Sequence, residues 1–386
     1  MNIGVLAAAL RRDLTHAETT PRADDVHLRS AIEWLFRSQD VTESGGCSAT
    51  YNLVLGWERA YPETTGYIVP TLYDYATYAD DSEARHRAER MARWLLDVQL
   101  DSGAFPGGTI GGAPEPSVFN TGQILFGLAR AHAETGDDAF VTALKDAGGW
   151  LADVQEPEGY WSVHTYENMI HAYTSRVGWA LLVAHDVTGE ESVRRAAVRN
   201  LEWVRGIQRD NDTFRHWAFT PDDDAFLHTI AYTIRGLVEG GHYLEDRGVF
   251  EAGQRAADRL LAYQRRNGSL AGAYDDGWNG AEFSCLTGTA QTAVVWMRLA
   301  ELTGDVDYAD AARQAIQELK RAQHLEGAAP VRGGLAGSKP VWGPYMRLRY
   351  PNWAPKFLAD AILAADRYNP GTDQSLTTIT EQKPQR

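Results

Sequence analysis

The sequence predicts an all-α fold, an (α/α)6 toroid of six helical hairpins, and three observations carry that expectation. First, an aromatic or leucine position followed by glutamine recurs along the chain: Trp34 to Gln39, Trp94 to Gln99, Trp150 to Gln155, Trp203 to Gln208, Leu260 to Gln264 and Leu319 to Gln323. The glutamines lie 60, 56, 53, 56 and 59 residues apart. Second, each interval holds two segments of helical periodicity, one amphipathic and ending in the glutamine signature, such as EARHRAERMARWLLDVQ, the other more apolar, such as TGQILFGLARAHAETG. Third, Gly136, Gly189 and Gly304 follow apolar segments as helix-ending glycines should, and Asp137, Glu190 and Asp305 then place an acid where the next helix dipole favours it. Hairpins of this size cannot bury their apolar faces alone, so six in series imply a closed ring.

In chain order, residues 1–27 read as a polar N-terminal arm, 28–366 as the toroid and 367–386 as a flexible C-terminal tail. Within the toroid the apolar helix of each hairpin is expected inside and the Trp-Gln helix outside. A glycine stands four residues after four of the glutamines (Gly103, Gly159, Gly268, Gly327), with Phe105, Trp161 and Leu270 two further on in three of them. The tryptophans are expected to cover the gap between units and the glutamine amides to cap a neighbour's backbone.

Composition narrows the function. With 44% apolar residues and 12 Trp the chain can build a large core, and a net charge of −15 repels rather than binds nucleic acid. Cys47 and Cys285 show no pairing pattern and no metal-ligand spacing occurs, so reduced thiols, a cytoplasmic location and neither metal nor cofactor are expected. No segment reaches the ~20 apolar residues of a membrane span.

The signature in Trp150 to Trp161 resembles the QW motif of squalene and oxidosqualene cyclases, and the six-hairpin organisation is similar to the α/α toroids. That group includes terpenoid cyclases, protein prenyltransferase β subunits and carbohydrate-active families such as unsaturated glucuronyl hydrolases and sugar 2-epimerases. The resemblance covers about residues 28 to 366 and implies architecture, since these families share a fold while doing unrelated chemistry. The Asp-x-Asp-Asp acid of class II terpene cyclases is not matched by PDDDAF at 221–226, where Asp222, Asp223 and Asp224 are adjacent. The zinc set of prenyltransferases is not matched around Cys285, which lacks both the preceding acid and a histidine on the next inner helix.

The inner-helix starts PETTGYIVP, VFNTGQILF, AYTSRVGWA, LHTIAYTIR, CLTGTAQTA and YPNWAPKFL align on Thr65, Thr121, Thr174, Thr229 and Thr287, read as N-caps. Around them, Asn120, Tyr173, Arg176, Trp179, Arg235, Gln291, Asn352, Trp353 and Lys356 are expected to line the mouth of the ring. Connecting loops add His164, Tyr166, Trp217, Arg332, Lys339 and Tyr345, the last three from a glycine-rich segment expected to form a flexible lid. Aromatic faces with Arg and Lys among them suit a hydroxylated, anionic ligand. Acid–base chemistry on a sugar needs a donor and an acceptor across the reacting centre. Glu63 and Glu167 are the candidate carboxylates, and His228 with Tyr232 the candidate base and acid of an elimination or epimerisation. The expected function is that of a hydrolase, lyase or epimerase acting on an acidic sugar or polysaccharide fragment. The alternatives are a terpenoid cyclase or prenyltransferase-like protein acting on an isoprenoid, and a toroid that binds glycans without catalysis.

Overall fold

A computed structural model describes residues 3–368. Thirteen α-helices occupy these residues, in the order α1 (Ile3–Leu14), α2 (Asp24–Asp40), α3 (Pro62–Ala79), α4 (Ser82–Val98), α5 (Val118–Thr135), α6 (Asp138–Asp153), α7 (Ser175–Thr188), α8 (Glu191–Gly206), α9 (Leu227–Tyr243), α10 (Arg247–Tyr263), α11 (Leu286–Thr303), α12 (Val306–Ala322) and α13 (Trp353–Arg367). From α2 onward they alternate between an outer layer of even-numbered helices and an inner layer of odd-numbered ones. Each inner helix packs on its two inner neighbours and on the outer helix that follows it, and α13 pairs with α2, which closes the ring as an (α/α)6 toroid. The segment set apart as an arm carries α1, whose Val5 and Ala9 are buried. Arg12 Nη2 in α1 donates to the Arg321 carbonyl at 2.9 Å. Of the segment set apart as a tail, residues 369–386 lie outside the described residues.

The repeated glutamine is the ring's fastener. Gln155 Nε2 donates to the Gly159 carbonyl at 3.0 Å and to the Ala196 carbonyl of the next outer helix at 2.9 Å, while Arg199 donates to its Oε1. Gln99, Gln208 and Gln264 make the corresponding pair of bonds to their own loop and to the next outer helix. Gln323 closes the circle by donating to the His27 carbonyl of α2 at 3.1 Å. In most repeats a glycine beside the glutamine lets the loop approach that helix, and in the Gln208 repeat Asp212, with φ +68, takes this place. Gly159 has φ +103, and a Cβ there would lie 2.3 Å from the Arg199 carbonyl oxygen. In the last repeat the longer loop gives this place to Gly333, not Gly327: Gly333 takes the Gln323 bond and faces the Ser30 carbonyl. The tryptophans cover the loop of the preceding unit, with Trp203 5.4 Å from Tyr160 between ring centroids and Trp34 against Gly334.

Gly136, Gly189 and Gly304 end their helices in the left-handed conformation, and Asp137 and Asp305 cap the next helices through their side chains. The aligned threonines do other work than the N-capping expected of them. Thr65 and Thr121 lie inside their helices, donate back to the Tyr61 and Ser117 carbonyls, and accept the amides of Cys47 and Phe105 from the preceding loop. They tie each loop to the start of its inner helix, a bond that the local sequence pattern of a cap does not distinguish.

Short strands organise the loops at one end of the ring. β1 (Thr50–Asn52) pairs with β2 (Gly56–Trp57) and with β7 (Arg349–Pro351); β3 (Ala225–Phe226) pairs with β4 (Ala273–Tyr274), and β5 (Ser284–Cys285) with β6 (Ser338–Lys339). The β1–β7 pairing joins the first loop to the last and fixes that end of the barrel. No helix among the described residues is long and apolar enough to cross a membrane.

Candidate functional site

The N-terminal ends of the inner helices and the strand-bearing loops surround a cavity of about 1260 Å³, the mouth of the ring. Ten of the residues singled out from sequence line it: Glu63, Asn120, His164, Tyr166, Glu167, Tyr173, His228, Tyr232, Tyr345 and Trp353. Aromatic rings dominate its wall, and many carry hydroxyls that can bond to a sugar. Tyr61, Tyr67, Phe119, Phe219 and Phe226 also line it and were missed. Tyr61 and Tyr67 stand two residues before and four after Glu63 in the aligned segment, so a search of the flanks on both sides would have found them.

Glu63 sits in the first turn of α3, placed by Pro62 at the helix start. It is 8% exposed, and among the described residues its carboxyl has one hydrogen-bond partner, the Tyr61 hydroxyl, which donates to Oε2 at 2.5 Å. Burial pushes its carboxyl up to about 7, against the opposing pull of Tyr61 and of the Arg176 charge. The carboxyl is therefore partly protonated near neutrality and can give or take a proton there. His228 opens α9, which lies three places round the six-helix ring from α3 and so on its opposite side. Its ring lies tilted against Tyr345 at 4.4 Å between centroids and is 5.5 Å from Phe219, Nδ1 has no hydrogen-bond partner among the described residues, and burial drops its pKa to about 3. His228 is thus neutral across the physiological range. Tyr232 is one turn further along α9 with its ring centroid 6.1 Å from His228, and burial raises its hydroxyl pKa, so it stays a donor.

Glu167 and His164 stand on the rim, in a loop where His164, Glu167 and Asn168 all have positive φ. His171 pins that loop by donating from Nε2 to the Tyr166 carbonyl, 3.1 Å away, and by stacking on Tyr173. Asn120 is held by the Pro106 carbonyl at 3.1 Å and accepts from Ser117. Of the glycine-rich segment expected as a flexible lid, Pro344, Tyr345 and Met346 line the mouth, and Tyr345 accepts from Trp353 Nε1 at 2.8 Å. Both flanks of that stretch are fastened into strands, β6 on one side and β7 on the other.

The remaining predicted residues are elsewhere. Arg176, Trp179, Arg235 and Lys356 line a second cavity of about 830 Å³ at the far end of the ring, below the floor of the mouth. The alignment put them in the correct register but at the wrong depth. Side chains up to the aligned threonine face the mouth, whereas those two or more residues later reach the floor or pass it, each residue descending ~1.5 Å along the helix. Consequently no Lys or Arg occurs among the described residues lining the mouth, where three cations were expected. Asn352 is a buried strut that donates to the Ser48 carbonyl and to Thr64. Lys339 pairs with Glu18 and Glu318 beside the arm, and Arg332 is exposed on the outer side. Trp217 is buried against Trp278 beside a separate groove that holds Asp222, Asp223 and Asp224, and Gln291 is buried in α11 without lining either cavity. Cys47 and Cys285 are buried free thiols, each raised by burial to about 12 and inert.

No family model and no curated protein matches the chain by sequence. Solved structures do match in shape. An unsaturated glucuronyl hydrolase specific for heparin superposes with a TM-score of 0.72 at 14% identity, covering 89% of this chain and 97% of that one. An unsaturated glucuronyl hydrolase of Bacillus sp. GL1, responsible for degradation of glycosaminoglycan, gives 0.71 at 17% identity over 89% and 97%. A cellobiose 2-epimerase of Bacillus thermoamylovorans gives 0.68 at 13% identity over 95% and 100%. At these identities the likeness is one of architecture, and the architecture of this chain is the (α/α)6 toroid of those sugar-processing enzymes.

Proposed function

We propose that the chain is a carbohydrate-active enzyme that carries out acid–base chemistry on an acidic sugar or oligosaccharide fragment in the mouth of the ring. The observation that carries this reading is Glu63, a buried carboxyl able to exchange a proton near pH 7, facing a neutral His228 across a cavity walled by tyrosines. Glu63 exchanges the proton with the bond being changed, and His228 on the opposite helix, held neutral, offers the sugar a hydrogen bond. A carboxyl poised to exchange a proton near pH 7 favours catalysis over binding alone. The tyrosine and tryptophan faces suit pyranose rings, and hydroxyl donors such as Tyr173 and Tyr232 can hold a single carboxylate. Arg176, just beneath the floor with its guanidinium carbon 5.1 Å from the Tyr232 ring, lends that carboxylate a favourable field. An isoprenoid diphosphate, with several charges to neutralise, has no cation to meet among the lining residues. The similar structures support the sugar reading, since those proteins are glucuronyl hydrolases and sugar epimerases.

The test is to incubate the protein with an unsaturated uronyl disaccharide and, in parallel, with cellobiose, following products by NMR. Turnover of the uronyl substrate, abolished in Glu63→Gln, supports the reading. Turnover of cellobiose alone would move the substrate to neutral sugars. Equal turnover by wild type and Glu63→Gln would remove Glu63 from the chemistry and sink the assignment.

A further inference from the structure

The far cavity has a chemistry that the mouth does not use. It is bounded by the deeper halves of all six inner helices, and six basic and five acidic side chains line it, an excess of one cation in a chain of net charge −15. Its carboxylates are already engaged with protein partners. Asp74 pairs with Arg130 and Arg367, Glu239 with Arg235 and Arg298, Asp360 with Lys356, and Asp186 accepts from the Tyr243 hydroxyl.

Arg176 is the exception. It is 5% exposed, has no carboxylate partner among the described residues, and its one protein hydrogen bond runs from Nε to Gln123 Oε1 at 2.5 Å. Both terminal nitrogens, with four N–H donors between them, are left unmatched by protein. The guanidinium is instead walled by aromatic faces, 5.0 Å from Phe126, 5.3 Å from Trp179 and 5.1 Å from Tyr232. Arg235 lies over the same Trp179 ring at 5.2 Å and spends only Nε on Glu239, leaving its terminal nitrogens unmatched too. Lys356 Nζ sits 4.1 Å from the Phe357 ring. These three cations feel one another. Burial lowers Arg176 to about 10 and Lys356 to about 8, and in each case repulsion from the neighbouring cations adds to that lowering. A like-charged cluster held together in a buried, aromatic-walled space is a geometry that an anion relieves.

We propose that the far cavity is a binding site for a small organic anion, a carboxylate or phosphate ester with a flat body, held by Arg176, Arg235 and Lys356 with its body on Trp179. Arg176 supplies the fork for a bidentate contact, the one donor set in the cavity with no carboxylate of its own. Filling this site does not require a ligand in the mouth.

The test is isothermal titration of the full chain with phenyl phosphate, benzoate and inorganic phosphate, with ionic strength held constant by sodium chloride. Phenyl phosphate should bind saturably, and roughly tenfold or more tightly than inorganic phosphate, the increment one well-packed ring contact supplies. Benzoate binding as tightly as phenyl phosphate would identify the carboxylate as the preferred source of the charge, and weaker benzoate binding the phosphate ester. Arg176→Gln should weaken binding by about tenfold or more. Arg235→Gln, whose removal leaves Glu239 paired to Arg298, should weaken it less and serves if Arg176→Gln does not fold by circular dichroism. Glu63→Gln should keep saturable binding within a few-fold of wild type, the size of the charge coupling between Glu63 and Arg176, which separates this site from the mouth. No saturable heat with any of the three probes, or equal affinity in wild type and both arginine variants, or binding lost in Glu63→Gln, would each overturn the proposal.

Discussion

Glu63 and Glu239 are both buried glutamates on inner helices, 8% and 7% exposed, at opposite ends of the same ring. Burial pushes both toward the neutral form. Glu239 receives Arg235 Nε at 2.9 Å and Arg298 Nε at 3.1 Å, and these two guanidiniums outweigh burial and hold its carboxyl below the usual value. Glu63 receives only a tyrosine hydroxyl, with Arg176 acting from beneath the floor, and burial wins. Equal burial thus gives a permanent anion at the far end and a proton-exchanging acid at the mouth. The difference is the arrangement of arginines, and it separates a region built for charge pairing from one poised for chemistry.

The sharpest way to break this comparison is Glu63→Gln. If the mouth is where acid–base chemistry occurs, kcat on the sugar substrate should fall about 10²- to 10⁴-fold, the usual worth of a positioned proton donor, with KM little changed. The same variant has an opposite effect on stability. Because the native carboxyl keeps its proton up to about 7 and an unfolded one only to its ordinary 4.5, the native state loses stability as pH rises through that window. The loss amounts to ~3 kcal/mol once Glu63 is ionised. Urea unfolding at pH 8 should find Glu63→Gln more stable than wild type by up to that amount, and at pH 4 the gain should vanish. A stability difference independent of pH would mean that Glu63 is ionised without penalty.

Glu239→Gln should show the reverse effect on stability and little effect on kcat. Removing the charge strands two guanidiniums, although Arg298 keeps Glu301 at 3.1 Å and both arginines are partly exposed, so a destabilisation of ~2 kcal/mol is expected at pH 7. Here the native carboxyl is held low, so its stabilising contribution is present above the unfolded value near 4.5 and is lost as pH falls below it. The deficit of Glu239→Gln should therefore shrink in acid, and kcat at pH 7 should stay within about twofold of wild type if the two ends work independently.

What could be read from sequence follows the same division. The fold was legible because one packing solution is used six times. A glutamine that spans its own loop and the next helix, and a glycine that must pass close to that helix, leave the same residues at the same spacing, and even the degenerate copies at Gln264 and Gln323 make the bonds. The mouth was legible in part. Residues one or two before four of the five aligned threonines, Glu63, Asn120, Tyr173 and His228, reached it. Arg176, Arg235 and Lys356 did not, because the level of the cavity floor is set by side chains meeting across the ring from different helices. Tyr67 and Tyr232 form that floor, 165 residues apart in sequence, and no local spacing encodes the encounter.

The smallest expected effect is the most informative about how the two ends communicate. The charge of Arg176 works to keep Glu63 ionised, so its removal should let Glu63 hold its proton to higher pH. In Arg176→Gln the alkaline limb of the kcat/KM profile, expected near 7 in wild type from the Glu63 carboxyl, should move up by roughly half a pH unit to one, as expected for one charge acting across a poorly solvated gap. Saturating the wild-type far cavity with phenyl phosphate neutralises the same charge without mutation and should move the limb in the same direction. Agreement between the two displacements would make the floor a conductor of electrostatic influence from one cavity to the other. A limb that moves in the variant but not with the bound anion would mean that the anion leaves the Arg176 field at Glu63 intact, and the two ends would then share a wall without sharing a signal.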